Sequence, residues 1–310
     1  MNRKFAIGTD IGGSHISCAL IDMEQEIIVP GSSTQLDVDN KAQAGEILSV
    51  FSRALRRPIE LAGRSRLAGI GFAMPGPFDY AAGIARFTPE VAKYENLYNV
   101  NVGARLKVML DLDPACELRF MNDAACFAVG EAWTGLAAGH RRSVAVTLGT
   151  GFGSAFTDGG LPVIEGDEVP GDGCCWHLPY HHGIADDYFS TRWFVKHYGI
   201  KSGITCTGVK EIAERASTDP LAMEVFEVFG KNLGDFLGPW LQKFDAGILV
   251  IGGSIAGSFN LFGKYLEESL KKQNLRTQTG LSRLKDNAAI TGSARLLDPD
   301  FWQRVKSLIK

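Results

Sequence analysis

The residues best suited to chemistry in this chain lie where apolar runs end in glycine. Asp10-Ile11-Gly12-Gly13-Ser14 follows the run that begins at Phe5. Adjacent glycines reach positive φ and let backbone N–H groups approach a phosphate. An aspartate just ahead of them can hold Mg2+ through water. The same residues also make a plain hairpin turn, and the motif alone does not separate the two. Gly149-Thr150-Gly151-Phe152-Gly153 offers further backbone donors and a hydroxyl. It is neither a P-loop, because no Gly-Lys-Ser/Thr follows, nor the start of a dinucleotide fingerprint. Asn122-Asp123 combines a general base for an attacking hydroxyl with two residue types that also cap helices. Gly252-Gly253-Ser254-Ile255 leaves a flat approach for adenine or ribose, or simply turns into a helix.

The elements that position these residues follow from periodicity. Phe5–Asp10 and His15–Ile21 read as strands around the first glycine turn, and Ser143–Leu148 and Ser154–Thr157 as strands around the second. Two such units about 140 residues apart suggest internal duplication. Residues 41 to 62 carry helical spacing at Ile47, Leu48, Phe51, Leu55 and Ile59, with an end or kink expected near Arg57 because Pro58 follows. Further strands are expected at Leu67–Phe72, Leu118–Met121 and Gly247–Ile251. Helices are expected at 99–110, 124–138, 221–244, 259–272, from Thr291 onward, and at 299–309. Residues 160–185 read as irregular.

Composition narrows the function classes. A net charge of -3 gives no polycationic footprint, so no nucleic-acid partner is expected. No apolar run approaches the roughly 20 residues of a membrane helix, so no membrane partner is expected either. The start MNRKFAIG enters a strand without the features of a secretory leader, and a cytoplasmic location is expected. Six scattered cysteines suit a reduced compartment better than a disulfide framework.

Taken in order, Asp10-Ile11-Gly12-Gly13-Ser14, Pro75-Gly76-Pro77, Asn122-Asp123-Ala124, Gly149-Thr150-Gly151 and Gly252-Gly253-Ser254 resemble the ROK family of sugar kinases and related repressors, within the actin-like ATPase superfamily. The resemblance covers nearly the whole chain. It implies an α/β fold of two actin-like ATPase (ribonuclease H-like) domains, each with a mixed five-stranded sheet flanked by helices, and an active site in an interdomain cleft. The expected division is 1–120, completed by about 298–310, and 121–297 with helical insertions. It implies ATP and Mg2+ as cofactors, with Asp123 as general base and Asp10 as the Mg2+-side carboxylate acting through water. Gly12, Gly13, Ser14, Gly149, Thr150 and Gly151 become phosphate contacts, and Gly252, Gly253 and Ser254 nucleotide contacts. Asn122 and Asn96 become sugar contacts beside Gly76. A homodimer or larger assembly is also implied.

The chain departs from that pattern in one segment. The family's sugar-binding and zinc-binding cysteine motif is replaced by Gly171-Asp172-Gly173-Cys174-Cys175-Trp176-His177, then Leu178-Pro179-Tyr180-His181-His182-Gly183, then Ile184-Ala185-Asp186. Asp172 is expected to replace the first sugar-binding glutamate, Asp186 or Asp187 the second, and His177 the family histidine. No standard zinc spacing is met, so structural zinc is not expected, and packing of Trp176 and Tyr180 is expected to hold the loop. His15 stands where the family usually has lysine. The expected activity is ATP-dependent phosphorylation of a hexose or hexosamine-type hydroxyl. The alternatives are a catalytically impaired sugar- or nucleotide-binding pseudokinase and a sugar-sensing regulator.

Overall fold

A computed structural model describes residues 4–88 and 93–309. Its strands are β1 (Phe5–Ile11), β2 (His15–Asp22), β3 (Ile27–Ile28), β4 (Thr34–Asp37), β5 (Leu67–Met74), β6 (Phe78–Asp79), β7 (Ile84–Ala85), β8 (Glu117–Asn122), β9 (Arg142–Leu148), β10 (Phe152–Asp158), β11 (Leu161–Pro162), β12 (Pro179–Tyr180), β13 (Gly183–Ile184), β14 (Ile248–Gly252) and β15 (Gln278–Leu281). Its helices are α1 (Ala44–Ala62), α2 (Val102–Met109), α3 (Asp123–Trp133), α4 (Ala185–Tyr188), α5 (Thr191–Ser202), α6 (Val209–Arg215), α7 (Pro220–Lys243), α8 (Phe259–Lys272), α9 (Asn287–Arg295) and α10 (Pro299–Val305). The chain divides into two compact units. The first comprises residues up to Thr134 together with those from Asp286 onward, and the second comprises Gly135–Lys285.

In the first unit the sheet order is β3-β2-β1-β5-β8, with β4 also paired to β2. β1 and β2 form an antiparallel hairpin, while β1–β5 and β5–β8 are parallel. Ile7, Ile11, Leu20, Ile70 and Phe72 bury against Leu48, Phe51 and Leu55 of α1. The other face carries glycine so that α9 can lie against it. A Cβ on Gly8 would sit 1.9 Å from Ile290 O, and one on Gly71 would sit 1.8 Å from Ser293 O. The buried Ser293 hydroxyl accepts the Thr9 N–H at 2.9 Å and donates to Ile290 O at 2.9 Å, so helix and strand share a satisfied polar link.

Helix α1 corrects one expectation. It continues through Pro58 to Ala62 instead of ending near Arg57. Proline lacks the N–H that would serve the carbonyl four residues back. That carbonyl, Ala54 O, accepts the buried Cys18 thiol at 3.2 Å instead. The helix placed at 124–138 stops at Trp133, and the helix placed from Thr291 begins four positions earlier, at Asn287. The unit boundary therefore falls after Thr134 and before Asp286, not near 120 and 298, because α3 packs on α9.

In the second unit the order is β11-β10-β9-β14-β15. β9 and β10 are antiparallel around Gly149–Gly151, and β9–β14 and β14–β15 are parallel. The sequence of pairings, one hairpin followed by two parallel neighbours, repeats that of the first unit. The apolar face of α7 is buried as its spacing demands, including Val225, Phe229, Leu233, Leu237 and Leu241. Among the described residues no helix is long and apolar enough to cross a membrane.

Candidate active site

The first unit places carboxylates at the carboxyl ends of β1 and β8. Asp10 lies one residue before the end of β1, where the chain turns through Gly12 and Gly13 into β2. That turn is held from several sides. The Gly12 N–H donates to His15 O at 2.9 Å, Val38 N–H donates to Ser14 O at 2.8 Å, and the Tyr94 hydroxyl donates to Gly12 O at 2.7 Å. The Asn40 side-chain amide donates to Gly13 O. The His15 ring folds over Gly12, where an added Cβ would meet it at 2.6 Å. Ser14 is exposed.

Asp123 opens α3 directly after β8, and Asn122 is the helix cap, its side-chain oxygen accepting Ala125 N–H at 3.2 Å. Asn122 takes the cap, and Asp123 stands in the first turn with Oδ1 accepting its neighbour's N–H, Ala124, at 2.9 Å. Burial raises the Asp123 carboxyl above the usual aspartate range, against the opposing pull of the Ala124 N–H and the Lys93 charge. Burial, with the charges of Asp123 and Asp286, pushes the Asp10 carboxyl up to about 7. Asp286, immediately before α9, was not singled out from sequence. The run Lys285-Asp286-Asn287 ahead of Ala288-Ala289-Ile290 was its only signal.

Among the described residues no group of three or more His, Cys, Asp or Glu side chains converges to hold a metal ion. A carboxylate starved of water beside two further negative groups nevertheless fits a divalent cation that draws its remaining ligands from water and phosphate oxygens.

In the second unit Gly149, Thr150 and Gly151 make the β9–β10 turn, with Gly149 N–H donating to Gly151 O at 3.0 Å. Thr191 braces it, its N–H and hydroxyl both donating to Gly149 O, at 2.8 and 3.0 Å. Asp186 lies in α4 against this turn. Its Oδ1 accepts Phe152 N–H at 2.6 Å and its Oδ2 accepts Arg192 Nη2 at 2.6 Å, while Arg192 Nη1 also donates to Thr150 O at 3.2 Å. Both carboxylate oxygens of Asp186 are therefore engaged in fixing the turn. Gly252 ends β14 and is buried; Gly253 has φ 83, and a Cβ there would lie 2.4 Å from Leu148 O, so only glycine fits. Ser254 is exposed at the start of the following 3-10 turn.

The residues expected on the sugar side are placed unevenly. Gly76 is exposed beside Tyr80, whose hydroxyl also meets the Asn122 amide at 3.4 Å. The Asn96 amide donates to Lys41 O and Ala42 O at 2.9 and 3.0 Å and so fastens one loop to another. Asp172 is exposed in a turn at φ 57, and His177 Nδ1 lies 3.8 Å from Cys174 Sγ. Trp176 does not hold this loop, being 48 % exposed. The anchors are Cys175, buried with its N–H donating to Ser154 Oγ at 2.7 Å, and Tyr180, packed on Phe189 and Phe236 with its hydroxyl donating to Asn232 O at 3.1 Å.

The model of the ROK family matches residues 6–299. The N-acetylgalactosamine kinase AgaK of Shewanella sp. (strain ANA-3) is 26% identical over 80% of this chain and 81% of its own length. The N-acetyl-D-glucosamine kinase of Haemophilus influenzae is 24% identical over 93% of this chain and 98% of its own. The ROK family glucokinase of Streptomyces griseus, solved in complex with glucose and AMPPNP, superposes with a TM-score of 0.75 at 20% identity, covering 94% of this chain and 98% of that one.

Proposed function

Because the chain belongs to the ROK family, we propose that it is an ATP-dependent sugar kinase that transfers the γ-phosphoryl group to a hydroxyl of a hexose or hexosamine. The observation that carries this reading is Asp123. It is a desolvated carboxylate in the first turn of a helix, coupled in charge to Asp10 next to a glycine turn. The N-acetylhexosamine kinases among the relatives make N-acetylated sugars the first acceptors to try.

The roles divide by unit. In the first, the Asp123 carboxylate accepts the proton of the sugar hydroxyl as that oxygen bonds to the γ-phosphorus and the bond from phosphorus to the β,γ-bridging oxygen breaks, releasing ADP. Asp10 faces the cation side, with Asp286 adding negative charge. Bound Mg2+ supplies positive charge to the phosphate oxygens. The Gly13 N–H and the Ser14 hydroxyl serve the phosphate, while Gly12, whose N–H donates to His15 O, shapes the turn. In the second unit Gly149, Thr150 and Gly151 serve the phosphates, and Gly252, Gly253 and Ser254 the nucleoside. Asp186 and Arg192 keep that turn rigid, a preorganisation that lowers the cost of reaching the transition state. Asn122 and Gly76 mark the sugar side, with Asp172 and His177 as further sugar contacts.

The test is a coupled ADP-release assay with Mg-ATP over glucose, glucosamine, N-acetylglucosamine, N-acetylgalactosamine and N-acetylmannosamine. Sugar-dependent release with at least one acceptor is expected. ATP binding without sugar-dependent release on any of them would favour a non-catalytic sugar or nucleotide binder.

A further inference from the structure

We infer that Lys93 is the cation of the first unit's phosphate turn, its ammonium meeting the oxygens of the transferring phosphoryl group. The inference rests on the kinase reading above. The turn itself, Gly12-Gly13-Ser14-His15, brings no lysine or arginine. Lys93 comes to it from a separate segment. Its Cε lies 3.8 Å from where a Cβ on Gly13 would stand, so the end of its side chain comes up to the bare backbone that glycine leaves open.

The neighbouring residue fixes that approach. Tyr94 is fully buried, packs its ring against Phe51 and Phe87, and ties the segment to the turn through its hydroxyl on Gly12 O at 2.7 Å. Tyr94 has φ 52, an unusual conformation for a bulky residue that the tether and the packing sustain. No carboxylate among the described residues takes the Lys93 ammonium in an ion pair, although the neighbouring Lys41–Glu95 pair shows that partners are near. Its charge is nonetheless felt at Asp123, where it favours the ionised carboxylate.

A lysine with no ion-pair partner among the described residues, beside backbone donors, is a compact point charge suited to phosphate. As the β,γ bond loosens, charge spreads over the equatorial phosphoryl oxygens. An ammonium already in place stabilises that charge without reorganising, while making and breaking no bond itself.

The experiment compares wild type, Lys93→Met and Lys93→Arg, measuring kcat/KM for ATP at saturating sugar, affinities for ATP and AMP by calorimetry, and thermal unfolding. Lys93→Met is expected to lower kcat/KM by about 10- to 100-fold, to weaken ATP more than AMP, and to leave the melting temperature within about 2 °C. Lys93→Arg is expected to restore most of the loss. Turnover by Lys93→Met within about threefold of wild type, equal weakening of ATP and AMP, or a loss shared equally by Lys93→Arg would overturn the assignment while leaving the kinase reading intact. Absence of turnover in the wild type with every sugar would overturn that reading, and the role of Lys93 with it.

Discussion

At Asp123 two opposing effects meet. A helix N-terminus and an accepted N–H favour the ionised carboxylate, yet burial wins and the carboxyl is raised. A base tuned upward in this way accepts a hydroxyl proton more readily near neutral pH. Asp123→Asn is expected to lower kcat by about 10²- to 10⁴-fold while ATP affinity, measured by calorimetry, stays within about twofold. The acid limb of kcat/KM should lie above the ordinary aspartate value of 3.8, since the proposed base works only when ionised; a limb at or below that value would remove Asp123 from the role. Asp10 gives a separate stability signature. Its folded pKa of about 7 exceeds the ordinary 3.8, so the folded chain holds this proton more tightly than the unfolded one. The contribution of this group is full below the lower value and is lost as pH rises toward the upper one. In EDTA, the melting temperature of wild type should therefore fall relative to that of Asp10→Asn between about pH 4.5 and about pH 7.5. A constant difference between the two proteins across that range would contradict this.

The elements that carry these carboxylates are held by close backbone contacts. Helix α9 can lie on β1, β5 and α3 only because glycines leave room: a Cβ on Gly292 would sit 1.8 Å from Cys126 O, and one on Gly130 would sit 2.0 Å from Ala288 O. Gly292→Ala should cost at least about 2 kcal/mol in urea unfolding, because backbone must move to accept the methyl; an unchanged midpoint would refute the packing. Cys18→Ala should cost about 1 kcal/mol or more, because Ala54 O loses the thiol that replaces the donor Pro58 lacks. This last contact explains a limit of sequence reading. Pro58 is a sound stop signal by local rules, and a thiol on β2, distant in sequence but packed against the helix, overrides it. The same holds for α9. Asn287-Ala288-Ala289-Ile290 carries weak helical periodicity, and the helix is fixed there by its glycine contacts and by Ser293 meeting Thr9, 284 positions apart in sequence.

At the scale of the whole molecule, the two glycine hairpins and the strands behind them were legible because alternation and glycine-rich turns are local signals. The parallel partners that complete each sheet, and the return of residues 286–310 to the first unit, are set by long-range contacts that a single sequence does not display. Asp186 shows the same limit. Its carboxyl type was legible, but its engagement with Phe152 N–H and Arg192 was not. The division has a consequence for folding. Residues 135–285 form a continuous unit with its own core, whereas residues 1–134 lack α9. The fragment 135–285 should melt cooperatively in isolation and the fragment 1–134 should not; cooperative melting of 1–134 would show that α9 is dispensable. The most direct measurement of the central claim is phosphorus NMR of the full chain with Mg-ATP and an acceptor hexosamine. A sugar phosphate monoester growing in step with ADP, and lost in Asp123→Asn, is the predicted result. ADP formed together with inorganic phosphate alone, or a monoester formed equally well without the Asp123 carboxylate, would contradict it.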